Sequence, residues 1–563
     1  MNTNNFQADG LPDTKALEQL ANQLFRAMQS GNDQPTPQYP PSVAAGDPLL
    51  QQGSVADVTQ APTSLPDPHF AGTGQVPASV AGSGSSPSAI QQRPASFDPS
   101  FEEELHKALK QIQSPPLSSQ LQGYGAPYYF LPDHVPASGI AARPQTDFQH
   151  ASTGATTAPL DVNLVRSHFP ILQEHVNGHR LIWLDNAATT QKPQHVIDRI
   201  SHFYAHENSN IHRAAHALAA RATDAYEGAR EKVRAFLHAA SVSEIVFVRG
   251  ATEAINLVAK SWGEQFLQAG DEIILSHLEH HANIVPWQQL ATRKGLLIKV
   301  IPVDDDGQVL LDEYAKLLGP KTKLVAFTQV SNALGTVTPA QKMVEMAHHA
   351  GAKVLVDGAQ AVSHMRADMQ LLNCDWYVFS GHKIFGPTGI GVLYGKEALL
   401  NETQPWQGGG NMIKDVTFEH TQYQNTPTRF EAGTGNIADA VGLGAAIDYV
   451  NLIGIDAIQQ YEHYLLLYAT QLLKEVPGLR LIGTAPDKTS VLSFVFKDFT
   501  TEQVGAALNQ EGIAVRSGHH CAQPILRRFG VESTVRPSLA FYNTCGDIDA
   551  LVNVLLRLRR SRI

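Results

Sequence analysis

Residues 354–360 read Val-Leu-Val-Asp-Gly-Ala-Gln, a run of branched apolar side chains that ends in an acid and a glycine. Such a run predicts a strand buried on both faces, and the glycine predicts a turn directly after it. Asp357 is therefore expected at the carboxyl end of a buried strand. A carboxylate there needs a cationic partner, although a strand-end aspartate that only caps the next turn is the commoner case.

The segments around this strand alternate between short apolar runs and helical periodicity after residue 160. The apolar runs predict strands at 181–184, 245–248, 272–275, 297–301, 324–328, 354–356, 376–379 and 391–394. Helical spacing at 254–269 and 340–350 indicates βαβ units. We therefore predict an α/β fold with a largely parallel sheet, covered on both faces, that binds ligands at the carboxyl ends of its strands. A helix from about residue 455, a strand at 491–496 and a closing helix predict a smaller α+β domain.

A second strand-and-turn segment, Phe-Ser-Gly-His-Lys-Ile-Phe-Gly-Pro at 379–387, places Lys383 26 residues after Asp357. An amine beside a glycine-rich turn forms a Schiff base with an aldehyde if its pKa is lowered, and Ser380 and His382 can hold a phosphate. An isolated lysine is usually a surface residue. Its position after the Asp357 strand favours a cofactor site, because a protonated pyridine nitrogen paired with Asp357 would make pyridoxal phosphate (PLP) an electron sink.

Two further segments carry candidate functional groups. Residues 249–256, Arg-Gly-Ala-Thr-Glu-Ala-Ile-Asn, follow a predicted strand and open a helix, so backbone N–H groups and the Thr252 hydroxyl can receive a phosphate. Taken alone, this is also a common way to start a helix. Residues 516–522, Arg-Ser-Gly-His-His-Cys-Ala, place Cys521 on a polar loop beside two imidazoles, an environment that can stabilise a thiolate.

A zinc site is an alternative for the histidine-rich segments. The candidate ligands form two compact clusters: His277, His280 and His281, and His519, His520 and Cys521. Consecutive residues rarely chelate one tetrahedral ion, so we do not predict a metal.

Composition restricts the class of protein. The formal net charge of −11 argues against a nucleic-acid or anionic-membrane partner, which would need clustered Lys and Arg. Three cysteines are too few for a disulfide framework and fit a reducing cytosol. No run of 18 apolar residues and no secretory leader pattern occurs, so we expect a cytoplasmic protein without a membrane span.

The first 158 residues differ in composition from the rest. They contain 19 of the 33 prolines and few large apolar residues, and we predict a disordered extension with short amphipathic helices near 17–28 and 101–112. Short words repeat within it: Leu-Pro-Asp at Leu11, Leu65 and Leu131, and Val-Pro-Ala-Ser at Val76 and Val135. Repeated words on a tether favour docking to a partner with equivalent sites, although recurrence by drift in a Pro-Ala-rich linker is also open.

From about residue 160 to the C-terminus the chain resembles a type II (SufS-like) cysteine desulfurase of the class V aminotransferase family, with the PLP-dependent aspartate-aminotransferase fold. The resemblance rests on five segments that are specific together: 249–256, 279–287, 356–360, 380–383 and 516–521. It implies a catalytic part at 159–563. Within that part it implies a large PLP domain at about 180–430 and a smaller domain made of 159–179 and about 431–563.

The resemblance also implies roles around the cofactor. Lys383 would bind PLP as a Schiff base, Asp357 would pair with the pyridinium, His280 would stack on the ring, and Gln360 would hydrogen-bond the ring oxygen. The phosphate ligands implied are Ala251, Thr252, Ser380 and His382, with Thr434 reaching the phosphate of the neighbouring subunit.

For the substrate, L-cysteine, the resemblance implies that Arg536 pairs with the carboxylate. Other residues implied near the substrate are Asn332, His212 and Arg516. Cys521 would receive the sulfur as a persulfide, so that the catalytic residues are Lys383, Cys521 and His280.

The same resemblance implies partners and leaves alternatives. It implies a homodimer, a SufE- or SufU-like sulfur acceptor, and use of the sulfur in pathways such as iron–sulfur cluster assembly. The extension at 1–158 resembles that of desulfurases packed as cargo in encapsulin shells, which would place the enzyme inside such a nanocompartment. Selenocysteine lyase is the alternative within the fold, a PLP aminotransferase would not need Cys521, and a scaffold with an inactive PLP fold is the alternative outside catalysis.

Overall fold

The computed structural model describes residues 160–212 and 216–561 of this chain. The predicted extension at 1–158, with its two amphipathic helices and its repeated words, lies outside these residues. The described residues belong to one compact unit. The proposed boundary near residue 430 between a large and a small domain stays a prediction.

A seven-stranded sheet forms the centre of the structure. Its strands are β1 (Ile245–Val248), β2 (Glu272–Ser276), β3 (Leu297–Ile301), β4 (Thr322–Thr328), β5 (Lys353–Asp357), β6 (Trp376–Ser380) and β7 (Gly391–Gly395). Their spatial order is β1-β7-β6-β5-β4-β2-β3. The sheet is mixed, because β7 runs antiparallel to both β1 and β6 while the neighbouring pairs from β6 to β3 are parallel. The α/β fold and all seven of these strands were predicted.

The reversal of β7 has a simple cause. Only residues 381–390 separate it from β6, and a parallel connection needs a crossover of a dozen or more residues. β6 and β7 therefore form a hairpin-like pair, and the turn between them contains Lys383. The carboxyl ends of β4, β5 and β6 remain on one edge, since Thr328 pairs with Asp357 and Asp357 pairs with Val378.

Helices cover the sheet and continue beyond it. The longer ones are α1 (Gln194–His206), α2 (Ala217–Phe236), α3 (Ala251–Val258), α4 (Val285–Lys294), α5 (Leu311–Leu317), α6 (Ala340–His349), α7 (Ile437–Ile453), α8 (Ile455–Lys474), α9 (Thr501–Gln510) and α10 (Cys545–Arg560). Shorter helices span Val162–Ser167, Glu264–Phe266, Met369–Leu372, Glu397–Glu402 and Gln523–Arg528. α7 is apolar nearly all round and packs against α1 and α2, as expected for a core helix.

The C-terminal part forms a four-stranded antiparallel sheet. Its strands are β8 (Leu479–Leu481), β9 (Phe494–Phe496), β10 (Arg516–Gly518) and β11 (Thr534–Arg536), in the order β8-β9-β11-β10. The predicted strand at 491–496 is thus shorter, because Val491 makes only an isolated bridge to Ser538.

The strand predicted at 181–184 does not belong to the main sheet. Only Ile182–Trp183 is extended, and it pairs in parallel with Ile513–Ala514. The helix predicted at 254–269 begins earlier, at Ala251, and is interrupted by a π-helical turn at Ala259–Gly263. Two further short pairs join His175–Val176 to His179–Arg180 and Ile413–Val416 to Thr421–Tyr423.

Within the described ranges, no single helix combines the length and apolar character that crossing a bilayer requires. α7 and α8 meet that test only when they are taken together, and they are bent by 74° relative to each other.

Candidate active site

A cavity of about 480 Å³ opens at the carboxyl ends of β4, β5 and β6. Twelve of the fourteen predicted site residues line it: Ala251, Thr252, His280, Asn332, Asp357, Gln360, Ser380, His382, Lys383, Arg516, Cys521 and Arg536. Thr434 and His212 do not. The residues come together because parallel strands end at one edge of a sheet, which is where α/β folds bind their ligands.

Lys383 and Asp357 define the floor of the cavity. Lys383 lies in the short turn after β6, where burial lowers its pKa to about 8 against the opposing effect of Asp357. Asp357 is buried at the end of β5 and accepts the Ala359 N–H at 2.9 Å. Burial raises the pKa of Asp357, while the Ala359 N–H and Lys383 lower it. A substantial fraction of Lys383 is therefore a neutral, nucleophilic amine near pH 8.

The amino end of α3 and the end of β6 meet at one side of the cavity. The Ala251 N–H donates to Ser380 Oγ at 2.9 Å, which leaves the Ser380 proton available for an anion. Thr252 is exposed beside them. Burial, followed by Lys383 and Lys192, lowers the pKa of His382 to about 4, so this imidazole is neutral at pH 7.

His280 has a neutral imidazole with an assignable tautomer. Its Nδ1 accepts the Ala282 N–H at 3.0 Å, so the ring proton belongs on Nε2. Burial lowers the pKa of His280 to about 3, with a further contribution from the nearby Lys383 charge. His280 is therefore an uncharged group on the cavity wall at pH 7.

Glu279 anchors the segment that carries His280, and it was not predicted as a site residue. Its carboxylate is fully buried and accepts hydrogen bonds from Asn283 Nδ2 at 2.6 Å, from the Thr328 N–H at 3.0 Å and from Ser276 Oγ. Burial raises the pKa of Glu279 to about 8, and these three donors oppose that effect. Glu279 could have been predicted from its position in the segment 279–287, which is one of the five segments that carry the family resemblance.

Two arginines share one carboxylate on the far wall. Arg536 is buried, donates Nη1 to the Asn332 carbonyl at 2.9 Å and lies 3.3 Å from Asp185 Oδ1. Arg516 Nη2 donates to Asp185 Oδ2 at 2.9 Å. Burial lowers the pKa of Arg536 to about 10, which still leaves it charged at pH 7. Two cations against one anion leave a positive wall that suits a carboxylate ligand.

Asp185 was not predicted. It lies 331 positions before Arg516 and 351 before Arg536. Lys192, whose Nζ lies 3.2 Å from the His382 carbonyl oxygen, was missed for the same reason. No local pattern links such distant segments.

The thiol of Cys521 is exposed at the rim of the cavity, and its backbone is fixed. The Cys521 N–H donates to His519 Nδ1 at 3.1 Å, and its carbonyl accepts the His281 N–H at 2.8 Å. His520 and Cys521 both have φ of 53°, the left-handed region that non-glycine residues rarely adopt. These two hydrogen bonds anchor the loop that carries the exposed thiol at the cavity.

Of the two imidazoles expected beside the Cys521 thiol, His519 lies next to it and His520 does not. His520 points away and places Nε2 2.8 Å from Thr534 Oγ1. Burial lowers the pKa of His520 to about 2, so it carries no charge. The positive groups that interact electrostatically with Cys521 are Lys383, Arg516 and Arg536.

Thr434 and His212 lie outside this cavity in the same chain. Thr434 lines a second cavity of about 560 Å³, and its Oγ1 is 3.4 Å from Asn210 Oδ1. His212 Nε2 lies 3.0 Å from Glu227 Oε1. The structure therefore does not bring His212 to Arg536 within one subunit.

The loop before Thr434 is rigidly held. Glu431 accepts hydrogen bonds from Arg230 Nη1 at 2.7 Å and from the Phe247 N–H at 2.8 Å, and Arg230 is almost fully buried.

Among the described residues, no group of three or more His, Cys, Asp or Glu side chains is arranged to hold a metal ion.

The cavity fits PLP, the cofactor that the sequence predicts. Gln360 Oε1 is buried on the cavity wall without a hydrogen-bond partner among the described residues, so it can pair with a ligand hydroxyl. Asp357 supplies a buried acid for a pyridinium, Lys383 an amine of lowered pKa for an aldehyde, and Ser380 a donor for a phosphate.

The family model described as "Aminotransferase class-V" matches residues 182–551. A cysteine desulfurase of Synechococcus elongatus is 64% identical over 450 residues, which cover 78% of this chain and 72% of that relative. A probable cysteine desulfurase of Mycobacterium leprae is 64% identical over 398 residues, 71% of this chain and 65% of the relative. The crystal structure of the Escherichia coli cysteine desulfurase CsdA is similar, with a TM-score of 0.67, 40% identity and coverage of 72% of this chain and all of that one. The chain therefore belongs to the class-V aminotransferase family and is a PLP-dependent cysteine desulfurase.

Proposed function

We propose that the enzyme converts L-cysteine to L-alanine and holds the sulfur as a persulfide on Cys521, from which an acceptor protein takes it. The observation that carries this proposal is the exposed Cys521 thiol at the rim of the cavity that Lys383 and Asp357 also line. A transaminase would need no thiol there. The resemblance to SufS-like enzymes suggests a SufE- or SufU-like acceptor and a role such as iron–sulfur cluster assembly.

Bound PLP supplies an electron sink that stabilises negative charge at the substrate Cα. Asp357 would keep the pyridine nitrogen protonated, Gln360 would bond the ring oxygen, and His280 would cover the ring. The phosphate would be held by Ala251, Thr252, Ser380 and His382. Lys383 would bind the cofactor covalently until substrate takes its place.

The substrate carboxylate would bind at the positive wall. Arg536 would form the ion pair, with Asn332 beside it. Arg516, which pairs with the same Asp185, would add a second positive charge. Lys383 Nζ would be a base of suitable strength to accept the Cα proton, because burial lowers its pKa to about 8.

Sulfur transfer forms one S–S bond and breaks one C–S bond. The Cys521 thiolate attacks the substrate sulfur and an S–S bond forms. The substrate Cβ–S bond breaks, and its electron pair stays with the carbon skeleton, which takes up protons to become alanine. The sum is L-cysteine plus enzyme thiol giving L-alanine plus enzyme persulfide, with no external oxidant.

We further propose a homodimer in which Thr434 of each subunit reaches the phosphate site of the other. Thr252, Ser380 and His382 also border a cavity of about 560 Å³ on the outer side. That cavity shares Arg249 and Trp406 with the cavity that Thr434 lines. The phosphate site is thus open toward the surface that carries Thr434, and His212 would approach the substrate from the same partner.

Substrate choice tests the activity. We expect alanine from L-cysteine, with kcat/KM increased by a thiol acceptor, because the persulfide must be discharged before the next turnover. Alanine production and kcat/KM for L-cysteine and L-selenocysteine, each with and without acceptor, measure this. Turnover of selenocysteine alone would make the enzyme a selenocysteine lyase, and turnover of neither would favour a scaffold.

We propose that the enzyme is cytoplasmic and that residues 1–158 direct it into an encapsulin-type shell. The repeated Leu-Pro-Asp and Val-Pro-Ala-Ser words support this, since a shell offers many equivalent sites. Deleting residues 1–158 should leave kcat/KM unchanged and abolish co-purification with co-expressed shell protein. A variant with only the three Leu-Pro-Asp words changed to alanines should weaken loading in part. Full loading of the deleted enzyme would contradict the proposal.

A further inference from the structure

A buried chain of polar groups leads away from the cofactor cavity behind Gln360. Gln360 Nε2 lies 3.2 Å from His364 Nε2, and His364 Nδ1 lies 2.6 Å from Glu462 Oε2. All three side chains are at most 4% exposed. Gln360 and His364 follow β5, whereas Glu462 belongs to α8, so the chain joins two distant parts of the sequence. None of the roles assigned above uses His364 or Glu462.

The hydrogen-bond chemistry of this chain has a defined direction. The Gln360 NH₂ group can only donate, so His364 Nε2 accepts its hydrogen bond. The imidazole proton therefore lies on His364 Nδ1, which donates to Glu462 Oε2. This fixes the amide: one N–H is used by His364, while the other N–H and the unpaired Oε1 remain for the cavity.

We infer that His364 and Glu462 are positioning residues. They set how the C=O and NH₂ ends of the Gln360 amide are oriented toward the cofactor. The inference rests on the proposed place of Gln360 at the ring oxygen. It gives Glu462, on the far side of His364 from that cavity, an influence on the cofactor without any contact with it. This influence can be measured in the visible absorbance of the cofactor, because a hydrogen bond to the ring oxygen changes the proton affinity of the conjugated system.

Glu462 also borders a separate cavity of about 610 Å³, on the side away from the cofactor. Ser490 Oγ donates to the same Glu462 oxygen as His364, at 3.0 Å, and Glu462 Oε1 has no partner among the described residues. The other charged or titratable groups around this cavity are Asp456, His463, Asp487 and Lys488. Ser490 therefore offers a matched control, because its hydroxyl donates to Glu462 and not to His364 or Gln360.

The experiment is a pH titration of the visible absorbance of the PLP-loaded enzyme. Glu462→Gln keeps the shape but removes the negative charge and adds an NH₂ donor beside His364 Nδ1. The tautomer with the proton on Nε2 then becomes accessible, and it pairs with the C=O end of the Gln360 amide instead of the NH₂ end. We expect the titration midpoint to move by about one pH unit, the scale of one hydrogen bond to a charged group. His364→Asn should also move it, whereas Ser490→Ala should lower thermal stability without moving it.

A double-mutant cycle separates this inference from its premise. In a Gln360→Ala background, Glu462→Gln should cause no further shift, because the group that transmits the effect is gone. An equal shift in both backgrounds, or no shift from Glu462→Gln in the otherwise native enzyme, overturns the positioning role alone. A Gln360→Ala variant with an unchanged titration overturns the placement of Gln360 and the inference with it.

Discussion

Replacing Lys383 by alanine is expected to abolish covalent attachment of the cofactor and to lower alanine formation by at least about 10²- to 10⁴-fold, the usual contribution of a positioned acid–base group. The reason lies in the turn after β6, where burial lowers the pKa of Lys383 to about 8 and Asp357 lies opposite. Reduction of the loaded protein with borohydride followed by peptide mass spectrometry measures the attachment.

Lys192 provides the matched control for this prediction. Burial also lowers its pKa to about 8, and its Nζ lies 3.2 Å from the carbonyl oxygen of His382, next to Lys383 in sequence. A low pKa alone would therefore allow either lysine to react. Lys192→Ala should retain the reduced adduct on Lys383. An adduct that persists in Lys383→Ala and disappears in Lys192→Ala would reverse the assignment.

The sequence predicted those parts of the site that short segments encode. Asp357, Ser380 and Lys383 could be placed because a buried strand delivers its next side chain to a known edge of the sheet. The strand at 391–394 could also be predicted, but its direction could not, because that depends on the ten residues that precede it. Chain connectivity, rather than the apolar pattern, decides that direction.

Long-range pairing could not be predicted in this way. Asp185 pairs with Arg516 and Arg536 from more than 300 positions away, and Glu462 hydrogen-bonds His364 across 98 positions. Orientation was equally hidden: the segment 516–522 put an imidazole next to Cys521, but the backbone turns His520 toward Thr534. A sequence supplies such groups, and only packing decides which of them face each other.

Replacing Cys521 by alanine is expected to eliminate the enzyme persulfide and to reduce alanine formation from L-cysteine by about 100-fold or more, as expected for loss of a group that acts on the reacting atoms. The cofactor should still bind with its visible absorbance, because Lys383, Asp357 and the phosphate ligands are unchanged. Intact-protein mass spectrometry after a single addition of L-cysteine measures the added sulfur, and an amino-acid assay measures alanine.

The other two cysteines make this prediction specific. Cys374 is buried, and burial raises the pKa of its thiol, so it can neither meet substrate nor ionise readily. Cys545 is partly exposed at the start of α10, with its Sγ 3.7 Å from the Tyr464 hydroxyl, but it does not line the cavity. Cys545→Ala should therefore retain one added sulfur and full alanine production, whereas Cys521→Ser should lose both. A persulfide that remains in Cys521→Ala and is lost in Cys545→Ala would show that sulfur leaves the cavity by another route.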